Sequence, residues 1–486
     1  MKPGILSLTL AFITCIQISV SAQSNQKEIS EKIQQVENNL FPNIHTQSDT
    51  PKTIAQRMAY YKVHGVSVAV IHNYKLEWAK GYGWADDSLK RSVTANTLFQ
   101  AGSVSKSLNA VGVLKLVQNK KLNLYTDINN YLTSWKFPYD SLSKGKKISI
   151  ANLLSHTAGL TVHGFPGYAH GEAIPTVVEV LNGQKPANTP KVRSMYPSGL
   201  KYEYSGGGTT ISQLIVLDIT HQPYDKYMYE QVLKPMGMTS STYTQPPVVI
   251  KPVLLATGYY DNGKQIPGKF QIYPEQAAAG LWTNPTDLSK YVIETQLAYQ
   301  GKSKKVLGQQ MTRLRLTPYI DKSAAFGVFI DSLDGAKYFQ HQGSDQGFQT
   351  QYYGSFEGGN GVVVMVNSDN GAIMYEIINS VANVYGFKGL NRSKLKKTVM
   401  VADSILQSYT GEYELQPKVT LTVTREGNQL FGKAGKQDKA SLFPETQNKF
   451  FVKVADIEIE FIKDGTGKIS KAILYEHGAH ELKKIK

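Results

Sequence analysis

The sequence predicts an α+β protein with a second, all-β domain behind it, and three observations lead there. Short strand patterns stand at both ends of a long helical middle, the arrangement of one sheet packed against helices. Composition changes after about Asn391. Beyond that point, runs of alternating apolar and polar residues punctuated by turn pairs mark a small antiparallel, barrel-like domain.

The elements follow in chain order. Residues 25–62 are polar and helix-forming. The apolar run Val66–Ile71, a turn at Asn73-Tyr74 and a second strand from Lys75 form a hairpin signature. Val104, Leu108, Val111, Leu114 and Val117 recur at three- and four-residue steps, so Ser103–Lys121 reads as a helix entered through Gly102. "KISIANLLSHTAGL" and "SQLIVLDITHQPYDKYMYEQVL" read as further helices, separated by Gly and Pro loops. In "TNPTDLSKYV", Asn284 caps a helix, with Pro285 at its first position and Asp287 placed for a capping box. From Phe326, "FGVFIDSL", "KYFQHQGS", "FQTQYYGSF" and "NGVVVMVNS" are short strands in succession. After residue 400, Val419, Leu421 and Val423 alternate with threonines before a Gly-Asn turn, and a second alternating stretch turns at Asp464-Gly465.

Composition sets the bounds. Lys2, an apolar run from Ile5 to about Val20, and Val20-Ser21-Ala22 before the cut have the form of a secretory signal peptide. No later stretch approaches ~20 apolar residues, so no transmembrane anchor is expected. The expected organisation is a signal peptide at 1–22, a main domain at 23–390, a basic linker at 391–400 and the β-domain at 401–486. A periplasmic or extracellular location follows. Cleavage after Ala22 removes Cys15, the only cysteine, which excludes disulfides and a thiol nucleophile.

The formal charge of +15, from 53 basic and 38 acidic residues, is spread along the chain. It suits weak attraction to anionic cell-wall polymers. Nucleic acid is not an expected partner, for no basic recognition helix is present. No cofactor or metal is expected either. His156, His163 and His170 recur every seven residues, but glycine and proline interrupt them and no cysteine or acidic cluster joins them. A Gly-x-Ser-x-Gly elbow is absent.

Ser-x-x-Lys occurs six times, beginning at Ser24, Ser103, Ser141, Ser143, Ser198 and Ser393, so the spacing alone decides nothing. At Ser103 the context differs. Positions 103 and 106 share one face of the expected helix. The helix N-terminus offers unpaired N–H groups to developing negative charge. A hydroxyl is a weak nucleophile until a neighbour takes its proton, and lysine can do so only when neutral. A lysine pKa of about 10.4 must fall by ~3 units for that, which demands burial or nearby positive charge.

Such a site is enclosed and draws on distant segments. Tyr204, ahead of Gly206-Gly207-Gly208 in "YEYSGGGTT", and His341, Gly343 and Ser344 in "YFQHQGSDQGF" qualify. Taken singly, Ser103 reads first as a helix cap, Tyr204 as a core residue and His341 as an ordinary strand residue. Their joint occurrence favours a site.

These stretches resemble the serine β-lactamase and penicillin-binding-protein-like hydrolases, above all the branch around class C β-lactamases. "FQAGSVSKS", "ISIANLLSHTAGL", "YEYSGGGTTISQL", "LKPMGMTSSTY", "AAAGLWTNPTDLSKY" and "HQGSDQGF" match that family's landmarks in order over about residues 50–385. The resemblance implies an antiparallel sheet flanked by helices, an all-helical lobe, and an active site at their seam. The tail from residue 400 resembles the lipocalin-like β-domain often appended to these hydrolases.

Carried over by position, Ser103 would be the acylated nucleophile, Lys106 its proton partner and Tyr204 the proton shuttle. Backbone N–H groups of Ser103 and Ser344 would form the oxyanion hole. His341, Gly343, Gly206 and the loosely matched His163 would line the substrate cleft. Two departures stand out. The family's Tyr-x-Asn reads Tyr204-Ser205-Gly206, and His341 replaces the lysine of Lys-Thr-Gly, as in the D-amino-acid peptidases. The resemblance therefore implies an exported serine hydrolase of small amides or esters, with D-amino-acid peptides ahead of β-lactams. Two alternatives stay open: a catalytically weak envelope-binding protein, and a β-domain that binds an apolar ligand as the main activity.

Overall fold

The computed structural model describes residues 26–486 other than 418, 436 and 454. The expected signal peptide, residues 1–22, lies outside the described residues. The chain forms two compact units. One holds Ile54–Leu390 with the described residues before Asn38, and the other holds Asn38–Thr53 with Asn391–Lys486.

In the first unit, seven antiparallel strands form one sheet. They are β1 (Gly65–His72), β2 (Lys75–Asp86), β3 (Arg91–Ser92), β4 (Phe329–Leu333), β5 (Ala336–Asp345), β6 (Phe348–Ser355) and β7 (Gly361–Val366). Their order across the sheet is β3-β2-β1-β7-β6-β5-β4. Asn73 and Tyr74, at φ 51° and 63°, make the paired left-handed turn of a two-residue hairpin between β1 and β2. Every residue of β7 is buried, which its unbroken apolar run requires. Helices α3 (Pro285–Tyr299) and α4 (Ala372–Tyr385) both pack on this strand, covering the sheet. Asn284 caps α3 as expected, accepting the Asp287 N–H at 2.8 Å. The return half of the capping box is absent because Asp287 is used elsewhere. Its carboxylate accepts from the Ser240 N–H and the Ser241 hydroxyl, both at 2.9 Å.

Helices α1 (Ser105–Gln118) and α2 (Gly206–Thr220) belong to the helical side of this unit. Asn109 of α1 donates to the Ser212 hydroxyl of α2 at 2.9 Å and accepts from the Tyr224 phenol at 2.9 Å. The sequence predicts a helix from Ser103, but α1 starts at Ser105 behind a 3₁₀ turn at Gly102–Val104. The cause is tertiary. Gly102 holds φ +51°, and a β-carbon there would stand 2.4 Å from the Ser344 nitrogen of β5. On the other side, a β-carbon on Gly343 would meet the Ala101 oxygen at 1.9 Å. Two glycines thus let a sheet strand lie against the entry to α1.

In the second unit, eight strands close an antiparallel barrel. They are β8 (Gly411–Gln416), β9 (Val419–Glu426), β10 (Gln429–Ala434), β11 (Ala440–Pro444), β12 (Lys449–Phe451), β13 (Glu458–Lys463), β14 (Ile469–Tyr475) and β15 (Ala479–Lys484). Part of the stretch read as a basic linker is ordered here. Lys394–Lys396 pairs in parallel with Ile44–Thr46, inside a region whose composition reads as helical. Carboxylates of the same unit hold this pair in place. Lys396 bridges Glu445 at 3.0 Å and also contacts Glu458, while Lys453 reaches Asp49 at 2.5 Å. No described helix is long and apolar enough to cross a membrane.

The glycine contact gives a direct test. Gly343→Ala should lower unfolding free energy by about 2 kcal/mol in urea titrations, the cost of overpacking a closed contact. Gly465→Ala, whose added carbon meets nothing within 4 Å, should change it by less than ~0.5 kcal/mol.

Candidate active site

The turn at Gly102–Val104 presents Ser103 at the seam between β5 and α1. Its shape is fixed from below by Ser105. That hydroxyl donates to the Gly102 carbonyl at 2.6 Å and accepts the Leu281 N–H at 3.0 Å. Ser103 does not cap a helix: neither the 3₁₀ turn nor α1 has a side-chain cap. Its hydroxyl instead accepts from Lys106 Nζ at 2.9 Å. Lys106 is only 4% exposed, and its second hydrogen bond runs to the Ala278 carbonyl at 2.8 Å. The same Nζ lies 5.1 Å from the ring centre of Tyr204. One amine therefore joins the alcohol to a phenol 101 residues further along.

Tyr204 owes its position to the start of α2. Ser205 caps that helix by accepting the Gly208 N–H at 2.9 Å, and its own N–H donates to His156 Nδ1 at 3.2 Å. The His156 ring packs on Tyr204 with centroids 4.3 Å apart. His163 is exposed, and its Nδ1 lies 2.5 Å from the Tyr204 carbonyl. A β-carbon on Gly206 would stand 2.8 Å from the Phe165 ring, so the aromatic occupies the space in which a side chain at 206 would begin. Around Tyr204, His163 thus meets its backbone and Gly206 makes room for Phe165.

Strand β5 supplies the opposite wall. Alternation buries His341, Gly343 and Asp345 and leaves Gln342 and Ser344 exposed. The His341 ring centre is 6.4 Å from that of Tyr204. Its Nδ1 lies 2.6 Å from the Gln342 carbonyl, and its buried Nε2 has no partner among the described residues. The β-carbon position at Gly343 is 3.0 Å from the Ser103 nitrogen, which puts this strand within reach of whatever binds at the serine.

Residues 51–379 match the family model described as Beta-lactamase, and residues 395–484 match one described as a domain of unknown function, DUF3471. The chain belongs to the β-lactamase family. It is 29% identical over 249 residues to a β-lactamase of Lysobacter lactamgenus, covering 50% of this chain and 59% of that one. It is 27% identical over 200 residues to Protein flp of Staphylococcus aureus strain N315, covering 41% and 39%. The chain therefore spans only about 39–59% of these curated relatives. An octameric penicillin-binding protein homologue from Pyrococcus abyssi shares the fold, with a TM-score of 0.62 and 21% identity over 88% of this chain and 98% of that one.

Within this β-lactamase-family site, burial sets the charges. It pushes the His341 imidazole down to about 3, with the neighbouring Lys106 adding to the effect. His156 is held well below its ordinary range by the same two causes. Both rings are neutral at physiological pH. Two acids that the motif comparison passes over lie in the same region. Glu275 is fully buried, neither carboxyl oxygen has a hydrogen-bond partner among the described residues, and burial pushes it up to about 8. Asp345 is held well above the usual carboxylate range by burial, against the pull of Lys106. Period-two counting from His341 would have found Asp345, which shares its face. Glu275 carries a fainter signal, an acid immediately before the small-residue run "QAAAGLW".

These shifts make stability depend on pH in opposite senses. Between about pH 6.5 and 3 the unfolded chain takes up a proton that folded His341 refuses, so acidification weakens the fold. From about pH 4.5 to 8 the unfolded chain ionises a Glu275 that the fold keeps protonated, so rising pH weakens it. Each effect is on the order of 1 kcal/mol per pH unit inside its window. Urea titrations from pH 5 to 8 should show the alkaline loss reduced in Glu275→Gln and the acid loss reduced in His341→Gln. Parallel curves for parent and variants would refute the assignment.

Proposed function

We propose that this chain is an exported serine hydrolase that forms an acyl-enzyme at Ser103, with Lys106 and Tyr204 moving the proton. The observation that carries this reading is the single buried amine contacting both the serine oxygen and the tyrosine ring. Ser103 Oγ adds to the substrate carbonyl carbon while its proton passes to the Lys106–Tyr204 pair. The carbonyl oxygen becomes an oxyanion held by the Ser103 and Ser344 N–H groups. Collapse breaks the bond to the leaving amine or alcohol, which departs with the proton the pair received. In the second half, water gives its proton to the pair and attacks the acyl carbon. Ser103 leaves and regains a proton.

His341 argues for the substrate class. At the family's Lys-Thr-Gly lysine stands a neutral ring, so the site lacks the fixed cation that a lysine there supplies. We favour D-amino-acid peptides of the cell-wall type, with His341 and Gly343 along the cleft wall. His163 acts one step back, on the backbone of Tyr204, and Gly206 leaves room for the Phe165 ring. A β-lactamase on the same machinery is the second reading, favoured by the 29% identity to the Lysobacter lactamgenus enzyme. Export rests on the signal-like residues 1–22.

Turnover of D-alanyl peptides, nitrocefin and p-nitrophenyl esters, measured side by side, separates these readings. A fluorophosphonate or labelled penicillin should add mass to the peptide holding Ser103 and to no other. Ser103→Ala should abolish turnover with the melting temperature nearly unchanged, and Lys106→Ala should prevent acylation. Tyr204→Phe should cost on the order of 10²–10⁴ in kcat. His341→Lys should raise nitrocefin turnover relative to peptide turnover. Full activity in Ser103→Ala would overturn the mechanism.

A further inference from the structure

One part of the first unit's surface carries large apolar side chains in the open. In the loop 246–255, Val248 is 78% exposed, Val249 66% and Val253 60%, and Leu254 also faces solvent. The hairpin of β2 and β3 adds Leu89, 66% exposed in its turn, and Trp84 on β2. Arg91 ties the hairpin to the loop, donating to the Val253 carbonyl at 2.8 Å and to the Leu255 carbonyl at 2.5 Å. The two segments therefore share one face.

The loop cannot hide its valines by joining a sheet. Pro246, Pro247 and Pro252 have no N–H to offer a neighbouring strand. The loop closes on itself instead. The Val248 N–H donates to the Pro246 carbonyl at 2.8 Å, that of Ile250 to Pro247 at 3.0 Å and that of Leu254 to Lys251 at 2.9 Å. Backbone satisfied in this way loses little when water is withdrawn from it. The charges around the face are mainly basic. Residues 246–256 contain Lys251, which is exposed, and no acid. Lys90 lies over the Trp84 ring, 5.6 Å from its centre. Of the nearby acids, Asp87 pairs with Lys90 at 2.8 Å and Asp86 with Lys269 at 2.7 Å. Arg91 and Lys251 are left as cations with no carboxylate partner among the described residues.

We propose that this face docks on an anionic lipid surface, its aliphatic tips entering the boundary between headgroups and acyl chains while Arg91 and Lys251 meet the phosphates. The complementarity is twofold. Valine and leucine tips suit the apolar phase, and the cations at their base suit the negative surface potential above it. Trp84, with an apolar body and an N–H, suits the level between the two. A protein partner is gripped through desolvated pockets around large anchors. The groups presented here are short aliphatic tips on a loop, which gain most from a fluid apolar phase. This surface is separate from the Ser103 chemistry, and the proposal rests on no reading of the substrate.

The test uses residues 23–486, which keep every described residue while removing an N-terminal apolar run that could carry the chain to lipid by itself. Flotation is measured with phosphatidylcholine vesicles, pure or mixed about three to one with phosphatidylglycerol. The chain should float with the anionic vesicles, and raising salt from about 0.05 to 0.5 M should weaken binding several-fold. Val248→Ser combined with Val249→Ser should weaken it about tenfold. Lys251→Glu should weaken it about fivefold, on the anionic vesicles only. Leu89→Ser, on the other segment, should also weaken it, whereas Leu142→Ser, at a leucine 50% exposed outside this face, should not. Melting temperatures should stay at the parental value, since each replaced side chain is already in water. Absence of flotation, or equal flotation by the parent and the valine variant, would overturn the proposal. So would a dimer in solution that the valine variant dissociates while vesicle binding is unchanged, for the face would then cover a second copy of the chain.

Discussion

The site depends on a backbone approach that only glycine permits. Strand β5 runs so near the entry to α1 that neither Gly343 nor Gly102 has space for a β-carbon. That contact sets the Ser344 backbone beside Ser103, delays the α-helix to Ser105 and leaves the serine side chain free of capping duty. The sheet and the helical side of the unit meet at this point. Loosening it would separate the groups contributed by β5 from those contributed by the helices, even with every side chain retained.

Within the seam, electrostatics follow from enclosure. Lys106 is nearly buried, and burial shifts the titratable groups around it toward their uncharged forms, His156 and His341 downward and Asp345 and Glu275 upward. Water that would solvate those charges is excluded, so each group gives up its charge rather than carry it unpaired. The amine is hydrogen-bonded to one hydroxyl and one carbonyl, and among the described residues no carboxylate pairs with it as a salt bridge.

Much of this was legible in the chain. The β1–β2 hairpin, the Asn284 cap and the alternating barrel strands come from local rules: turn chemistry, capping geometry and the two-residue period. The motif order located Ser103, Lys106, Tyr204 and His341, and the coordinates gather them. Less readable were the parallel pair Ile44–Thr46 with Lys394–Lys396 and the buried acids. A parallel pairing across some 350 residues has no local signature, and Lys394–Lys396 looks like solvated linker until Glu445 and Glu458 come to meet it.

The sequence by itself determined the fold class, a β-lactamase-family fold followed by an antiparallel β-barrel, and the residue types gathered at the candidate site. It did so because periodicity, turn pairs and motif order are written in neighbouring residues. Tertiary structure alone decided that Ser103 stands on a 3₁₀ turn, that His341 is neutral, and that Phe165 takes the space beside Gly206. Each of those rests on what lies across a gap of a few ångströms from a distant part of the chain. Desolvation and steric exclusion act through space.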